Sequence, residues 1–213
     1  SQSQNYWCET ILKQTGEQRK SSILIPCIDR IEGLLKDKKK KPERFLDVGS
    51  ANGACLAEWK KRYPAAQIIG IEPGERAAQQ CRDIGAIVYE DFVENAAGKD
   101  GAQGDLVTCF EVVEHVQNTT PFAKAIYGVR AAGVIAELTC LGADGFDIQI
   151  LWEKSRSISP PYHLNFLSVD GIQQMFTKAG FDRVEVFTPG RLDVEIVRRT
   201  QERGIDIKMS RFE

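Results

Sequence analysis

The sequence predicts an α/β fold with a mostly parallel, doubly wound sheet and helices on both faces, and three observations carry that prediction. Phe45-Leu46-Asp47-Val48 reads as a short buried strand that runs into a turn bounded by Gly49 and Gly53, then into helix-friendly residues over 54–59. A second apolar run, Gln67-Ile68-Ile69-Gly70-Ile71, ends in an acid, Glu72, nineteen positions beyond Gly53. A third, Gly104-Asp105-Leu106-Val107-Thr108-Cys109-Phe110, leads into Glu111-Val112-Val113-Glu114-His115-Val116. Strands that alternate with helical patterns need crossover connections, and crossovers generate parallel sheets.

Composition agrees with one soluble domain. The 213 residues are enough for a real core, and 42% hydrophobic with 27% charged residues is ordinary globular usage. A net charge of -2 argues against a dedicated nucleic-acid binder, which is usually basic. No apolar run is long enough to span a membrane, and no signal-peptide pattern opens the chain. An opening Ser1 in place of Met is the mark of a trimmed or processed chain. The six cysteines, Cys8, Cys27, Cys55, Cys81, Cys109 and Cys140, are widely spaced without C-x-x-C, which points to reduced thiols and a cytoplasmic setting.

The elements follow in order. Over residues 1–20 only Tyr6, Trp7, Ile11 and Leu12 offer apolar anchors, and packing is their expected role. Leu24, Ile28, Ile31 and Leu35 recur at helical spacing over 21–35, with Pro26 near the start, where proline is tolerated. Lys36-Asp37-Lys38-Lys39-Lys40-Lys41 is expected to be a solvated linker, so that 1–41 forms a helical cap with a basic linker and 42–213 the main domain. A helix over 75–82 precedes a third strand at 86–89, and a helix over 122–130 precedes a fifth at 133–139. Residues 141–161 look irregular, and an insertion at about 141–167 is expected to build the acceptor pocket. Ser168 is a good N-cap for a helix to Ala179, Gly180 ends it, and 181–187 reads as a sixth strand. The charged tail from Glu195 carries no readable strand pattern.

The glycine turn narrows the chemistry. Dinucleotide enzymes use G-x-G-x-x-G, whereas this chain has Gly49-x-x-x-Gly53 with Ala51 between, and Asp47 two residues before the first glycine. That arrangement resembles motif I of class I S-adenosylmethionine (SAM) methyltransferases, and an Ala51 methyl fits it if φ there is negative. Gly-Ile-Glu-Pro at 70–73 looks like the same family's second motif. The phrase Asp105 to Val116 closely resembles its ubiquinone- and sterol-type branch. His163-Leu164-Asn165-Phe166-Leu167-Ser168 recurs there too, and residues 188–194 are similar to members in surface-polysaccharide modification. The resemblance covers about 43–190 and implies the Rossmann-like fold of that family.

It also implies a site. Asp47, Gly49, Ser50, Ala51, Asn52 and Gly53 would cradle SAM, with Asp47 orienting the loop amides and the cofactor's amino group. Glu72 and Pro73 would take the ribose hydroxyls, and Asp91 and Phe92 the adenine. Phe110, Glu111 and Val112 would line the crevice at the end of the fourth strand, the edge where open parallel sheets bind ligands.

The two histidines, His115 and His163, both fall in motif segments. SAM carries its own electrophilic methyl, so the protein must align an acceptor and take a proton from a hydroxyl; His163 is the first candidate base and His115 the second. Glu111, Glu114, His115 and His163 also resemble the E-x-x-E-H…H set that holds Mg²⁺ or Mn²⁺ in small-RNA 2′-O-methyltransferases. In metal-free relatives the same phrase places Glu111 by the cofactor. The expected function is a SAM-dependent O-methyltransferase of a small-molecule or sugar hydroxyl, yielding S-adenosylhomocysteine, working as monomer or homodimer. The alternatives are metal-assisted 2′-O-methylation of RNA 3′ ends and a non-catalytic SAM-binding protein.

Overall fold

Five strands make one sheet. They are β1 (Arg44–Val48), β2 (Gln67–Ile71), β3 (Ile87–Tyr89), β4 (Gly104–Phe110) and β5 (Arg130–Thr139), in the order β3-β2-β1-β4-β5. The computed structural model describes residues 20–188 and 191–205. β1 is parallel to β2, from Arg44 opposite Gln67 to Val48 opposite Ile71, and to β4, where Asp47 lies opposite Thr108. β2 is parallel to β3. Central strands of such a sheet are covered on both faces, which is why β1 and β2 are mostly apolar without alternation, with the buried Asp47 as the exception. The chain walks outward from β1 to β3, then returns to lay β4 on the other side of β1. The strand order reverses beside β1, the kind of switch point at which open parallel sheets bind ligands.

The helices around this sheet are set by their apolar stripes. After a π turn at Lys20–Leu24, α1 (Ile25–Asp37) has Pro26 in its first turn and buries Ile28, Ile31 and Leu35. α2 (Ala54–Arg62) buries Leu56 and Trp59 in the same cluster, where the Trp59 ring stacks on Phe45 with centroids 4.6 Å apart. Arg62 ties the two helices together, donating from Nε to Glu58 and from one terminal nitrogen to Asp29 and Glu32, all within 2.9 Å. α3 (Glu75–Asp83) and the short α4 (Val93–Ala96) complete the outward half. Right-handed crossovers put α2 and α3 on one face of the sheet and α5 (Thr119–Gly128), between β4 and β5, on the other. The Lys36–Lys41 run is exposed, and Lys40 is anchored by its ammonium to the carbonyl of Gly133.

The chain divides into two compact units. One holds the described residues up to Phe110 together with Lys124–Leu138; the other holds Glu111–Ala123 and the described residues from Thr139 onward. The second unit contains a 3-10 turn at Val113–His115, α6 (Phe146–Leu151), a 3-10 turn at Trp152–Lys154, α7 (Val169–Ala179) and α8 (Arg191–Glu202), which packs on α6. α7 begins and ends where the sequence says. The Ser168 hydroxyl accepts from the Gly171 amide, and Gly180 closes the helix at φ 114°.

Two expectations are corrected. Residues 141–161 are not wholly irregular, since α6 forms inside them. Residues 181–187 form no strand: Val184 and Val186 are half-buried and Glu185 exposed, but no ladder takes them up. Alternation specifies an extended chain, not a partner. The tail through Glu202 is helical, with Glu195 paired to Arg198 and Arg199. Tyr6, Trp7, Ile11, Leu12 and Cys8, along with Pro189 and Gly190, lie outside the described residues. Among those described, no disulfide joins the cysteines, and no helix is long and apolar enough to cross a membrane.

Candidate functional site

The turn after β1 alternates through left-handed backbone. Gly49 has φ 70°, Ala51 φ 47° and Gly53 φ 78°. The negative φ under which an Ala51 methyl fits without strain is not met; the methyl is held in a conformation that costs about 1–2 kcal/mol for an L-residue. Several bonds keep it there. The Ala51 amide donates to Glu72 Oε2 at 2.9 Å, and its carbonyl accepts from Cys81 Sγ at 3.4 Å. The Gly49 amide donates to Ile71 O at 2.8 Å, which pins the turn to the end of β2. Gly53 cannot be replaced cheaply, because its φ of 78° strains any L side chain, and a Cβ there would also require Ile84 Cδ1, 2.9 Å away, to shift. Asn52 is exposed, and its Oδ1 accepts from the Ala54 amide at 3.3 Å, at the uncapped start of α2.

Asp47 is more deeply placed than its expected role requires. It is 3% exposed, and its Oδ1 accepts from Thr108 Oγ1 at 2.6 Å across the β1–β4 register. The loop uses the Asp47 carbonyl instead, through the Ser50 hydroxyl at 2.7 Å. Burial pushes the Asp47 carboxyl up to about 7, against the pull of hydrogen bonds from Thr108 and Cys55, with the nearby Glu72 charge adding to the rise.

Glu72 stands at the end of β2, partly buried, followed by Pro73. Its Oε1 accepts from the Gly74 amide at 2.8 Å and its Oε2 from the Ala51 amide. Each oxygen has a further lone pair, so the carboxylate can accept two hydroxyl donors while still holding the loop. Burial raises its pKa, and the two amides offset part of that rise. These are the features a ribose diol requires. Asp91 follows β3 and accepts from the Phe92 amide, Asn95 and Lys99 at 2.8–2.9 Å. The hydrogen bond from the Lys99 ammonium, helped by that from Asn95, holds its carboxyl down at about 2. An incoming amino group would share Oδ2 with Lys99. Phe92 is 60% exposed, a large apolar ring beside that acid, and Phe110 is half-buried at the end of β4.

In the second unit, Glu111 takes φ 56° while its amide donates to Thr139, both to the carbonyl at 2.9 Å and to Oγ1 at 3.1 Å. Val112 leads into the 113–115 turn. Residues 155–165 are strapped onto this turn. The Leu164 and Asn165 amides donate to Glu114 O, and Asn165 Nδ2 donates to the carbonyls of Val113 and Val116. The strap sets His163 beside His115, with ring centroids 4.9 Å apart. Each imidazole bonds a carbonyl through Nδ1, His115 to Tyr162 O at 2.7 Å and His163 to Ser157 O at 2.5 Å. A carbonyl only accepts, so each Nδ1 carries the proton and the lone pair falls on Nε2.

Behind the strap lies a buried polar cluster. Asp147 Oδ2, from α6, accepts from Ser155 Oγ at 2.6 Å and Ser157 Oγ at 2.8 Å, and Ser155 Oγ accepts from the Ser157 amide at 3.1 Å. All three residues are buried. The metal set is not assembled: among the described residues no three His, Cys, Asp or Glu side chains converge as ion ligands. Glu114 is 2% exposed while its neighbour His115 is exposed, so adjacent members of the motif face opposite ways.

Residues 17–186 match a family described as a methyltransferase domain. The chain belongs to that methyltransferase family. It is similar to the ubiquinone biosynthesis O-methyltransferase of Acinetobacter baumannii, 36% identical over 105 residues that cover 46% of this chain and 41% of that protein. The methyltransferase chain thus spans less than half the length of the curated relatives it matches. Its fold matches a SAM-dependent methyltransferase of Thermotoga maritima at TM-score 0.63 and 19% identity, covering 84% and 82% of the two chains. A plantazolicin methyltransferase solved with S-adenosylhomocysteine and a triazolic desmethylPZN analogue gives TM-score 0.65 at 12% identity, covering 98% and 90%.

Sequence reasoning passed over Thr108, Asp147, Ser155, Ser157 and Asn165. Thr108 had a signal, being the one hydroxyl in the apolar run of β4. The serines and Asp147 had none, since polar residues in a loop read as solvated.

Proposed function

We propose that this methyltransferase domain binds SAM at the turn after β1 and methylates a hydroxyl of a small molecule or sugar. Glu72 carries the reading: it sits where two backbone amides orient its carboxylate and leaves each oxygen able to accept one ribose hydroxyl. The amides at the start of α2 and the turn itself would meet the methionine part, Asp91 and Phe92 the adenine, and Phe110 with Glu111 and Val112, next in the chain, the crevice wall. SAM bound there would supply a methyl on a sulfonium, so that a C–O bond could form as the C–S bond broke, with S-adenosylhomocysteine as the leaving group. The chain's own task is to hold the hydroxyl and receive its proton, which we assign to Nε2 of His163, with His115 beside it. The likeness to ubiquinone biosynthesis O-methyltransferases supports oxygen as the acceptor atom. The wide spacing of the six cysteines, without C-x-x-C, supports a cytoplasmic setting.

Calorimetric titration with S-adenosylhomocysteine tests the cofactor assignment. The wild type binds, and Glu72→Ala loses roughly 10- to 100-fold in affinity, the worth of one or two charge-assisted hydrogen bonds. Unchanged affinity in the variant would overturn the assignment. For the acceptor, phenolic and sugar hydroxyls are screened, and His163→Ala lowers kcat with the KM for SAM intact.

A further inference from the structure

The buried cluster on α6 is unused by the chemistry above, and its bonds lead to one atom. Asp147 Oδ2 gathers the hydroxyls of Ser155 and Ser157 at 2.6 and 2.8 Å. Those bonds, with the Ser157 amide on Ser155 Oγ, fix the peptide whose carbonyl accepts from His163 Nδ1. A carboxyl buried to 4% exposure is costly to place unless its partners are fixed as well, so the cluster is rigid for the reason it is tolerated. Two residues after His163, Asn165 fastens the strap to the carbonyls of Val113 and Val116. His163 is therefore held from both ends of a short segment, and the hydrogen-bond partner that chooses its tautomer is itself chosen by Asp147.

We propose that Asp147 is a positioning residue: acting through Ser155 and Ser157, it sets the Ser157 carbonyl that keeps the His163 proton on Nδ1 and presents Nε2 to a hydroxyl acceptor. The functional half of this inference rests on His163 being the base. A free imidazole exchanges between tautomers, with Nε2–H well populated, and a ring in that form can donate but cannot take a proton at Nε2. A carbonyl held at Nδ1 removes that form, so each folded molecule is competent. The geometry follows the pattern in which an orienting group behind a histidine fixes which nitrogen acts.

The chain has only two histidines, so ¹⁵N-histidine NMR on the full, tag-free protein shows both rings without overlap. In the wild type His163 gives the Nδ1–H pattern. In Asp147→Ala it collapses toward the averaged pattern of free imidazole, whereas Asp147→Asn, whose amide oxygen can still accept both hydroxyls, retains it. If Asp147→Ala does not fold, Ser157→Ala carries the test and shows partial collapse. A His163 pattern unchanged in these variants would overturn the link. With catechol as acceptor, Asp147→Ala lowers kcat roughly 10- to 100-fold at unchanged KM for SAM, and Asp147→Asn recovers most of the rate. Wild-type kcat in a variant with a collapsed tautomer would overturn the catalytic purpose. A His163→Gly variant with wild-type turnover would instead remove the base itself, leaving the NMR result to stand on its own.

Discussion

At the scale of the residue, the domain keeps two groups in costly states beside its candidate cofactor turn. Asp47 is an acid whose folded pKa is raised to about 7 by burial, above its ordinary 3.8. The folded state then holds a proton the unfolded chain has released, so this group stabilises fully below about pH 4. Its contribution falls by about 1.4 kcal/mol per pH unit until about pH 7. Urea midpoints measured across that range should fall with rising pH in the wild type and lose that component in Asp47→Asn, which can still accept from Thr108. Ala51 is the second. Placing glycine at its φ of 47° removes side-chain strain but loosens the unfolded chain, for a net gain of about 0.5–1 kcal/mol in thermal or urea unfolding. Ala51→Val at the same site should destabilise.

Among the elements, α1 and α2 are joined by a shared apolar cluster and by one guanidinium. Removing Arg62 strands Asp29, Glu32 and Glu58 close together, and Arg62→Ala should cost about 1–3 kcal/mol in urea unfolding. Lysine should recover only part, because it cannot match the planar fork that reaches partners from both Nε and a terminal nitrogen. Element boundaries are also where the sequence was most readable. Phe45 to Val48, the acid after Ile71, Ser168 and Gly180 each announce a start or a stop through chemistry local to a few residues. The segment 181–187 shows the limit, because pairing depends on a neighbour that no local pattern names. Ala51 shows another. The φ it adopts is imposed by Glu72 and Cys81, thirty or fewer positions away in sequence but adjacent in space. Asp147 and its serines were illegible for the same reason, since a buried polar cluster looks like a polar loop until its closure is seen.

For the whole molecule, ligand binding and stability are one equilibrium. S-adenosylhomocysteine at about a hundred times its Kd should add about 2.7 kcal/mol, which in a chain of this size raises Tm by about 5–10 °C. NADH producing that shift while S-adenosylhomocysteine does not would point to a dinucleotide enzyme on the same scaffold. The order β3-β2-β1-β4-β5 concentrates the candidate cofactor residues of the first unit at the ends of adjacent strands, which is why a glycine turn, Glu72 and Asp91 far apart in sequence fall along one edge of the sheet. Glu72 spends one lone pair of each oxygen on the amides of Ala51 and Gly74 and keeps the others. A diol arriving there adds to an existing arrangement and breaks none of it. Entry is then governed by encounter, and differences between cofactor analogues or crevice variants should appear as residence time, in the rate of departure more than the rate of arrival.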